Sequence, residues 1–300
     1  MAFRFSRHYL LLHIIVFIWG FSPILGRYIT ADTWQLVWFR ILITVSVMQI
    51  YLIITKEDMR VTRLQLGNLF LTGLVISAHW MCFYAAIKVS NVSVTMVSFS
   101  TGTLFSSILE PIFFRRALRI YEVIIGLIII AAIALVFSIH FEYRLGIALG
   151  IGAAFTGSLF GVLNGIHARS IRPAVISFYE MLSAFIGLTL LLLFAGGFTR
   201  DFFTLNSQAI TGIVILSLAC TVFPFIASVS LTRHISPYTI VLTVNLETVY
   251  GIVWAALIYK ENREVKPSFY IGVVIILLAI LLNSWLRKIQ EQKTISPQPQ

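Results

Sequence analysis

Charge is what this chain has least of. Asp, Glu, Lys and Arg make up 11% of its 300 residues, under half of the roughly 25% usual in soluble proteins. Against that, 59% of the residues are hydrophobic and the mean hydropathy is +0.93. A water-soluble fold of this length has too little interior for so much apolar surface. Cysteine is nearly absent. Cys82 and Cys220 both fall in apolar runs, which excludes a disulfide framework or a zinc spacing and leaves buried thiols. No Walker loop occurs, which argues against direct ATP drive, and no HExxH pair marks a zinc hydrolase. No loop is long enough for a soluble domain. The first apolar run ends in ILGRYIT without a small-x-small cleavage site, so it reads as a retained span.

What the chain does have is apolar runs of about 20 residues, the length a bilayer core about 30 Å thick requires. They do not alternate in polarity as barrel strands do. The expected fold is an all-α polytopic membrane protein with ten transmembrane helices, at 8–27, 33–55, 66–87, 92–114, 120–139, 145–167, 174–196, 209–232, 237–259 and 268–286. The polar tail, 287–300, rich in Gln and Pro, is expected to be disordered.

A net charge of +10 would suggest nucleic acid in a soluble protein. Here the basic residues sit in short loops and act as topology signals, so no nucleic-acid partner is expected. With the N-terminus inside, fourteen Lys and Arg fall on the cytoplasmic side and seven outside, Arg40 within a span completing the 22. That bias places both termini in the cytoplasm. The outer loop YKENREVKP, with three basic residues, runs against it.

A faint internal repeat is present. Shifted by about 146 positions, the text at 120–137 falls on 266–283, with Gly126 on Gly272 and Ser90 on Ser236. Earlier, a shift of about 140 lays VWFRIL (37–42) on SFYEML (177–182), and Arg40 meets Glu180. Each half, 8–139 and 145–286, then holds five spans. Because five is odd, the second half enters the membrane upside down. Such inverted repeats are the architecture of many secondary transporters, in which two like halves exchange conformations around a shared site.

Those two five-span halves resemble the EamA family of the drug/metabolite transporter superfamily. So do the first span FIWGFSPILGRYI and the ending NLETVYGIVWAALIYKE to YIGVVIILLAILLN. The resemblance covers about residues 8–286. It implies exporters or permeases of small metabolites, often amino acids, with a central cavity lined by spans one to four and six to nine. It also implies a bacterial inner membrane. The chain departs from the pattern in places. Thr248 stands where the family often has Pro, and Gly102 is its first-half equivalent. The family's Glu at the end of the ninth span is Glu261, but its first-half counterpart is Arg115.

Ionisable residues inside spans mark function by default. The deep ones are Arg40, His79, Glu180 and Glu247. Glu247 and Asn245 stand two apart in TVNLETVYG, and three roles are open to Glu247: a structural clamp on Arg40, a contact for a substrate amine, or a proton carrier. One arginine against two carboxylates leaves an acid over, which favours proton coupling for Glu180 or Glu247. SAHWMCFYAAI places Trp80, Phe83 and Tyr84 on one helical face with His79 beside them, suited either to a cavity wall or to helix packing. Trp19 and Asn164 occupy near-equivalent positions in spans one and six. Trp34, Trp38 and Trp285 read as interface anchors, and Glu110 as a partner of Arg115 or Arg116. The ladder Ala153, Gly157, Gly161, Gly165 reads as tight packing, and Pro23 and Pro224 as kinks.

The substrate-binding or coupling set is therefore Trp19, Arg40, His79, Trp80, Tyr84, Asn164, Glu180, Asn245 and Glu247. A secondary active transporter, exporting small metabolites by alternating access, accounts for these features together. It requires no metal or other cofactor and is not an enzyme. An intramembrane enzyme and a channel are the competing readings. The expected partners are a small-molecule substrate, the bilayer and, if coupling operates, protons; monomer and homodimer are both open.

Overall fold

The computed structural model describes residues 7–115, 117–137, 143–263, 271–275, 277–279, 281–282 and 285–286. Among these, all regular structure is helical. The first expected span is two helices, α1 (Arg7–Trp19) and α2 (Ser22–Tyr28). The break precedes Pro23, which sits in the first turn of α2 where its missing N–H costs nothing. α3 (Thr33–Thr55) and α4 (Arg63–Val89) follow as single helices. The fourth span is divided into α5 (Val92–Phe99) and α6 (Gly102–Phe114). α7 (Ile120–Phe137), α8 (Arg144–His167) and α9 (Pro173–Phe194) come next. The eighth span is α10 (Ser207–Ser217), a π-helical turn (Leu218–Val222) and α11 (Phe223–Leu231); the ninth is α12 (Pro237–Tyr259).

Seven of these units are long and apolar enough to cross a membrane, and Ile120–Ala132 and Thr243–Tyr259 are shorter apolar helices. The described residues between 271 and 286 are helical where the tenth span was expected. The rest of that span and the tail 287–300 lie outside the described residues.

Local chemistry sets the helix ends. Asp32 with Gln35, and Thr62 with Gln65, form capping boxes that start α3 and α4. Asn91, Asn206 and Ser236 cap α5, α10 and α12. α3, α6 and α12 stop at Lys56, Arg115 and Lys260, all left-handed, at φ 49°, 52° and 56°. Arg115 and Lys260 close corresponding spans of the two halves.

Packing relies on small residues, because lipid tails give apolar faces no reason to leave them for one another. α4 lies between α8 and α9. Gly73 of α4 abuts the backbone of α9 and the Ser183 side chain; Gly146 and Gly150 of α8 abut Ser90 and Ser98. The contacts between the two halves come in matched sets: α4 on α8 is matched by α11 on α1 and α10 on α2, α4 on α9 by α10 on α3, and α5 on α8 by α12 on α1. The outer faces remain apolar, with Ile54, Leu64 and Phe194 among the most exposed side chains, as lipid contact requires.

Trp38 corrects an expectation. It is buried, its indole N–H donates to Thr189 Oγ1 at 3.0 Å, and Phe39, Phe185, Phe198, Phe202 and Phe203 surround it. Trp34 and Trp285 are exposed. The aromatic run AGGFTRDFF between α9 and α10 folds back to cover Trp38, a tertiary contact that span-end statistics do not register. Glu110 is buried on α6; Arg116, one of its expected partners, lies outside the described residues.

Candidate functional site

A cavity of about 130 Å³ lies at the centre of the helices. Trp19, Arg40, His79, Trp80, Tyr84, Asn164, Asn245 and Glu247 all line it. Glu180 does not. It is fully buried behind the wall, and reaches the cavity through Asn164.

Arg40, from the middle of α3, is 3% exposed. Its Nε donates to Thr221 Oγ1 at 2.9 Å and its Nη1 to the Tyr84 hydroxyl at 2.6 Å. The guanidinium carbon lies 3.9 Å from the centre of the Trp80 ring and 5.3 Å from that of Tyr84. Among the described residues, no carboxylate lies within 4.0 Å of it, and Nη2 makes no hydrogen bond. The expected Arg40–Glu247 clamp is thus not closed. Aromatic faces and two hydroxyls hold the cation instead, a geometry that suits a planar, weakly hydrated guanidinium. Gly26 makes room for this arrangement, since a Cβ there would lie 2.7 Å from the Tyr84 ring.

Thr221 was not legible as a site residue. The π-helical turn ahead of Pro224 presents it, the extra residue displacing that stretch towards Arg40. The same turn directs the Cys220 carbonyl to the indole N–H of Trp19 at 3.1 Å, so α1 is fixed to the eighth span at cavity depth. A proline in an apolar run was the only sequence signal for it.

His79 satisfies both of its expected roles. Nδ1 lies 2.8 Å from the Ala153 carbonyl; a carbonyl only accepts, so Nδ1 carries the proton and a neutral ring turns Nε2 away from that bond as an acceptor. Phe83, Phe99 and Phe160 pack around the ring. Gly157 of α8 admits it, a Cβ there lying 3.1 Å from the imidazole. Of the ladder read as tight packing, Gly157 and Gly161 line the cavity; the close contacts with Ser90 and Ser98 are made by Gly146 and Gly150, earlier in α8 and outside that ladder.

Across the cavity, Asn245 Nδ2 donates to Thr103 Oγ1 at 2.6 Å, and the Thr248 hydroxyl donates to the Met96 carbonyl at 3.1 Å. These bonds dock α12 on the divided fourth span. Thr248 supplies the hydroxyl for the second of these contacts. Glu247 lies between them, 6% exposed. Among the described residues it has no hydrogen bond or ion pair; its electrostatic partner is Arg40, on the same cavity.

The two ends of the helix assembly differ. Near Tyr259, Glu261 is fully buried. It accepts from the backbone N–H groups of Val92 at 3.1 Å and Ser93 at 2.9 Å, from the Ser93 hydroxyl at 2.6 Å, and from Arg27 in an ion pair. One carboxylate thus caps α5 and joins α2 to α12. Arg27 also lies 4.6 Å from the centre of the Tyr259 ring. At the opposite end, a second cavity of about 790 Å³ is lined by Arg169, Arg172, Arg233, Glu110 and Ser236, and shares Thr232 with the central one.

Among the described residues, no group of three or more His, Cys, Asp or Glu side chains gathers as metal ligands would.

The model of the EamA-like transporter family matches this sequence twice, over residues 6–138 and 144–285. A solved structure described as "Crystal structure of protein" superposes with a TM-score of 0.69, at 13% identity, over 94% of this chain and 99% of that chain. At that identity the likeness is one of fold. No curated protein matches the sequence.

Proposed function

This chain belongs to the EamA-like transporter family, and on that premise we propose that it is a secondary active carrier that exports small amphipathic metabolites such as amino acids. It works by alternating access, its two five-helix halves being inverted repeats. It sits in the bacterial inner membrane with both termini in the cytoplasm.

One observation carries the substrate class. A guanidinium, Arg40, and a carboxylate, Glu247, face one aromatic-walled cavity, and among the described residues the first has no carboxylate partner and the second no donor. An α-carboxylate suits the unused Nη2 of Arg40, with Trp80 and Tyr84 beneath it. An ammonium suits Glu247, with Asn245 beside it. Phe83, Phe99, Phe160 and Phe225 leave an apolar surface for a side chain. A zwitterion supplies each buried charge with its opposite, which lowers the cost of keeping both at that depth. In the empty carrier, a proton on Glu247 does part of the same work, so substrate and proton compete for one carboxylate. That competition is a route to antiport.

The cavity and the basic vestibule share Thr232 in their walls, at the end assigned to the cytoplasm, while Glu261 and Arg27 hold the other end together. This arrangement suits loading from inside. At about 130 Å³ the cavity is small beside the ~300–1,000 Å³ of drug-sized ligand sites, which favours a small metabolite.

Counterflow in proteoliposomes preloaded with labelled amino acids and other metabolites tests the reading. Saturable exchange that an opposing pH gradient accelerates is the expected result. A non-saturating leak would make the protein a channel.

A further inference from the structure

One fully buried carboxyl among the described residues does not lie on the cavity surface. Glu180, on α9, is 0% exposed, and its carboxylate faces the side-chain amide of Asn164 on α8. Asn164 is itself 3% exposed and lines the cavity. With the amide nitrogen turned towards it, Glu180 receives a hydrogen bond at 3.2 Å on Oε2 and a second contact on Oε1.

Among the described residues, no cation reaches Glu180. Arg40 of α3 is taken up by Tyr84 and Thr221. His79 of α4 is bonded to Ala153. His167, on α8, lies 3.0 Å from Thr72 Oγ1. Tyr179 of α9 donates to the Met59 carbonyl. α11, which also packs on α9, carries no titratable side chain.

An amide has a donor end and an acceptor end, and a half-turn about its last bond exchanges them. An ionised carboxylate only accepts, so it draws the NH₂ of Asn164 and leaves the amide oxygen towards the cavity. A protonated carboxyl has an O–H to give. It draws the amide oxygen and leaves the NH₂ towards the cavity. We propose that Glu180 and Asn164 form a proton-operated selector, in which a proton bound behind the cavity wall reverses the hydrogen-bond polarity the wall presents to substrate.

With Glu180 ionised, Asn164 favours an ammonium or hydroxyl. With Glu180 protonated, it favours a carboxylate or carbonyl oxygen. Substrate and proton are then linked through one side chain without touching, and the linkage is reciprocal. A donor facing a donor is penalised, so one inverted contact changes affinity by about tenfold. This selector rests on the reading of the central cavity as the substrate site, and it adds a second protonation site to the one on Glu247.

Infrared difference spectroscopy of the full chain in nanodiscs, titrated between acid and alkaline pH without substrate, tests the switch alone. The expected result is a carboxyl C=O band that is absent from Glu180→Gln and shifted in Asn164→Leu. Wild-type protein carrying ¹³C-asparagine gives the same test without a variant, because the Asn amide band should move with the carboxyl titration. An Asn band that stays fixed while the carboxyl titrates would overturn the selector, as would a carboxyl band indifferent to Asn164→Leu. Counterflow of the labelled amino-acid mixture then reads function. Glu180→Gln should flatten an approximately tenfold change of apparent affinity with pH; an unflattened profile counts against the selector. A coupled Asn band without any counterflow would uphold the switch and sink the carrier, and counterflow with a fixed Asn band would do the reverse.

Discussion

The guanidinium carbon of Arg40 lies 3.9 Å from the centre of the Trp80 ring, with no carboxylate within 4.0 Å among the described residues. A buried cation held by an aromatic face and two hydroxyls keeps hydrogen-bonding capacity for something else. Lysine has neither the planar face nor a second nitrogen to reach both Thr221 and Tyr84. Arg40→Lys is expected to lower counterflow by about tenfold or more, the loss of one charged hydrogen bond of ~1.5–3 kcal/mol. The variant should still elute as a folded protein. Wild-type exchange in Arg40→Lys would remove this residue from the site.

Glu247 has no hydrogen-bonding partner among the described residues, so its neutral analogue should be tolerated by the fold. Glu247→Gln is expected to retain the thermal midpoint and to weaken the response of flux to pH over about 5.5–8, a range around the ~6.5 of free imidazole, leaving the part that Glu180 carries. Unchanged flux and pH response would assign proton coupling elsewhere.

Glu261 poses the opposite case. Removing one partner of a fully buried ion pair costs about 3–5 kcal/mol; here Arg27 is partly exposed, so the ion pair contributes less, but two backbone N–H groups of α5 would also lose their acceptor. Glu261→Ala should therefore unfold at markedly lower temperature in detergent. Glu261→Gln keeps an acceptor oxygen and should fall between the two. Equal midpoints for all three proteins would show that the cap contributes nothing.

Two glycines of α4 offer a matched pair. A Cβ on Gly73 would lie 2.6 Å from Ser183 Cβ, whereas Gly67 has nothing within 4 Å. Gly73→Ala should cost about 1–3 kcal/mol through overpacking. Gly67→Ala should be neutral or stabilise by up to ~1 kcal/mol through helix propensity. Thermal unfolding of the two side by side decides it; equal shifts would mean that α4 and α9 are not in the contact described.

Eight of the nine residues singled out from the sequence line one cavity, because charge and amide groups inside apolar runs are costly unless they face water or protein. The ninth, Glu180, obeyed the same rule behind the wall, where its contact is Asn164; the repeat aligned it with Arg40 but gave it no partner. Trp38 was misjudged because its place near a span end resembles that of an interface anchor. The Phe-rich segment that covers it comes from the other half of the chain.

Among the described residues, hydropathy located the helical stretches, since a bilayer core fixes the length of each apolar run, but not the breaks that divide the first, fourth and eighth expected spans. It also determined which residues were too polar to face lipid. It did not determine how each helix is rotated. These spans are apolar on most faces, and a helix that is apolar all round gives no sign of which side meets protein. Tertiary structure decided that Arg40 meets Trp80, Tyr84 and Thr221, that Arg27 meets Glu261 across 234 positions, and that Asn164 meets Glu180. Each of those contacts joins separate helices whose relative rotation and depth are set by small residues packing at close range, and one-dimensional polarity carries no record of that packing.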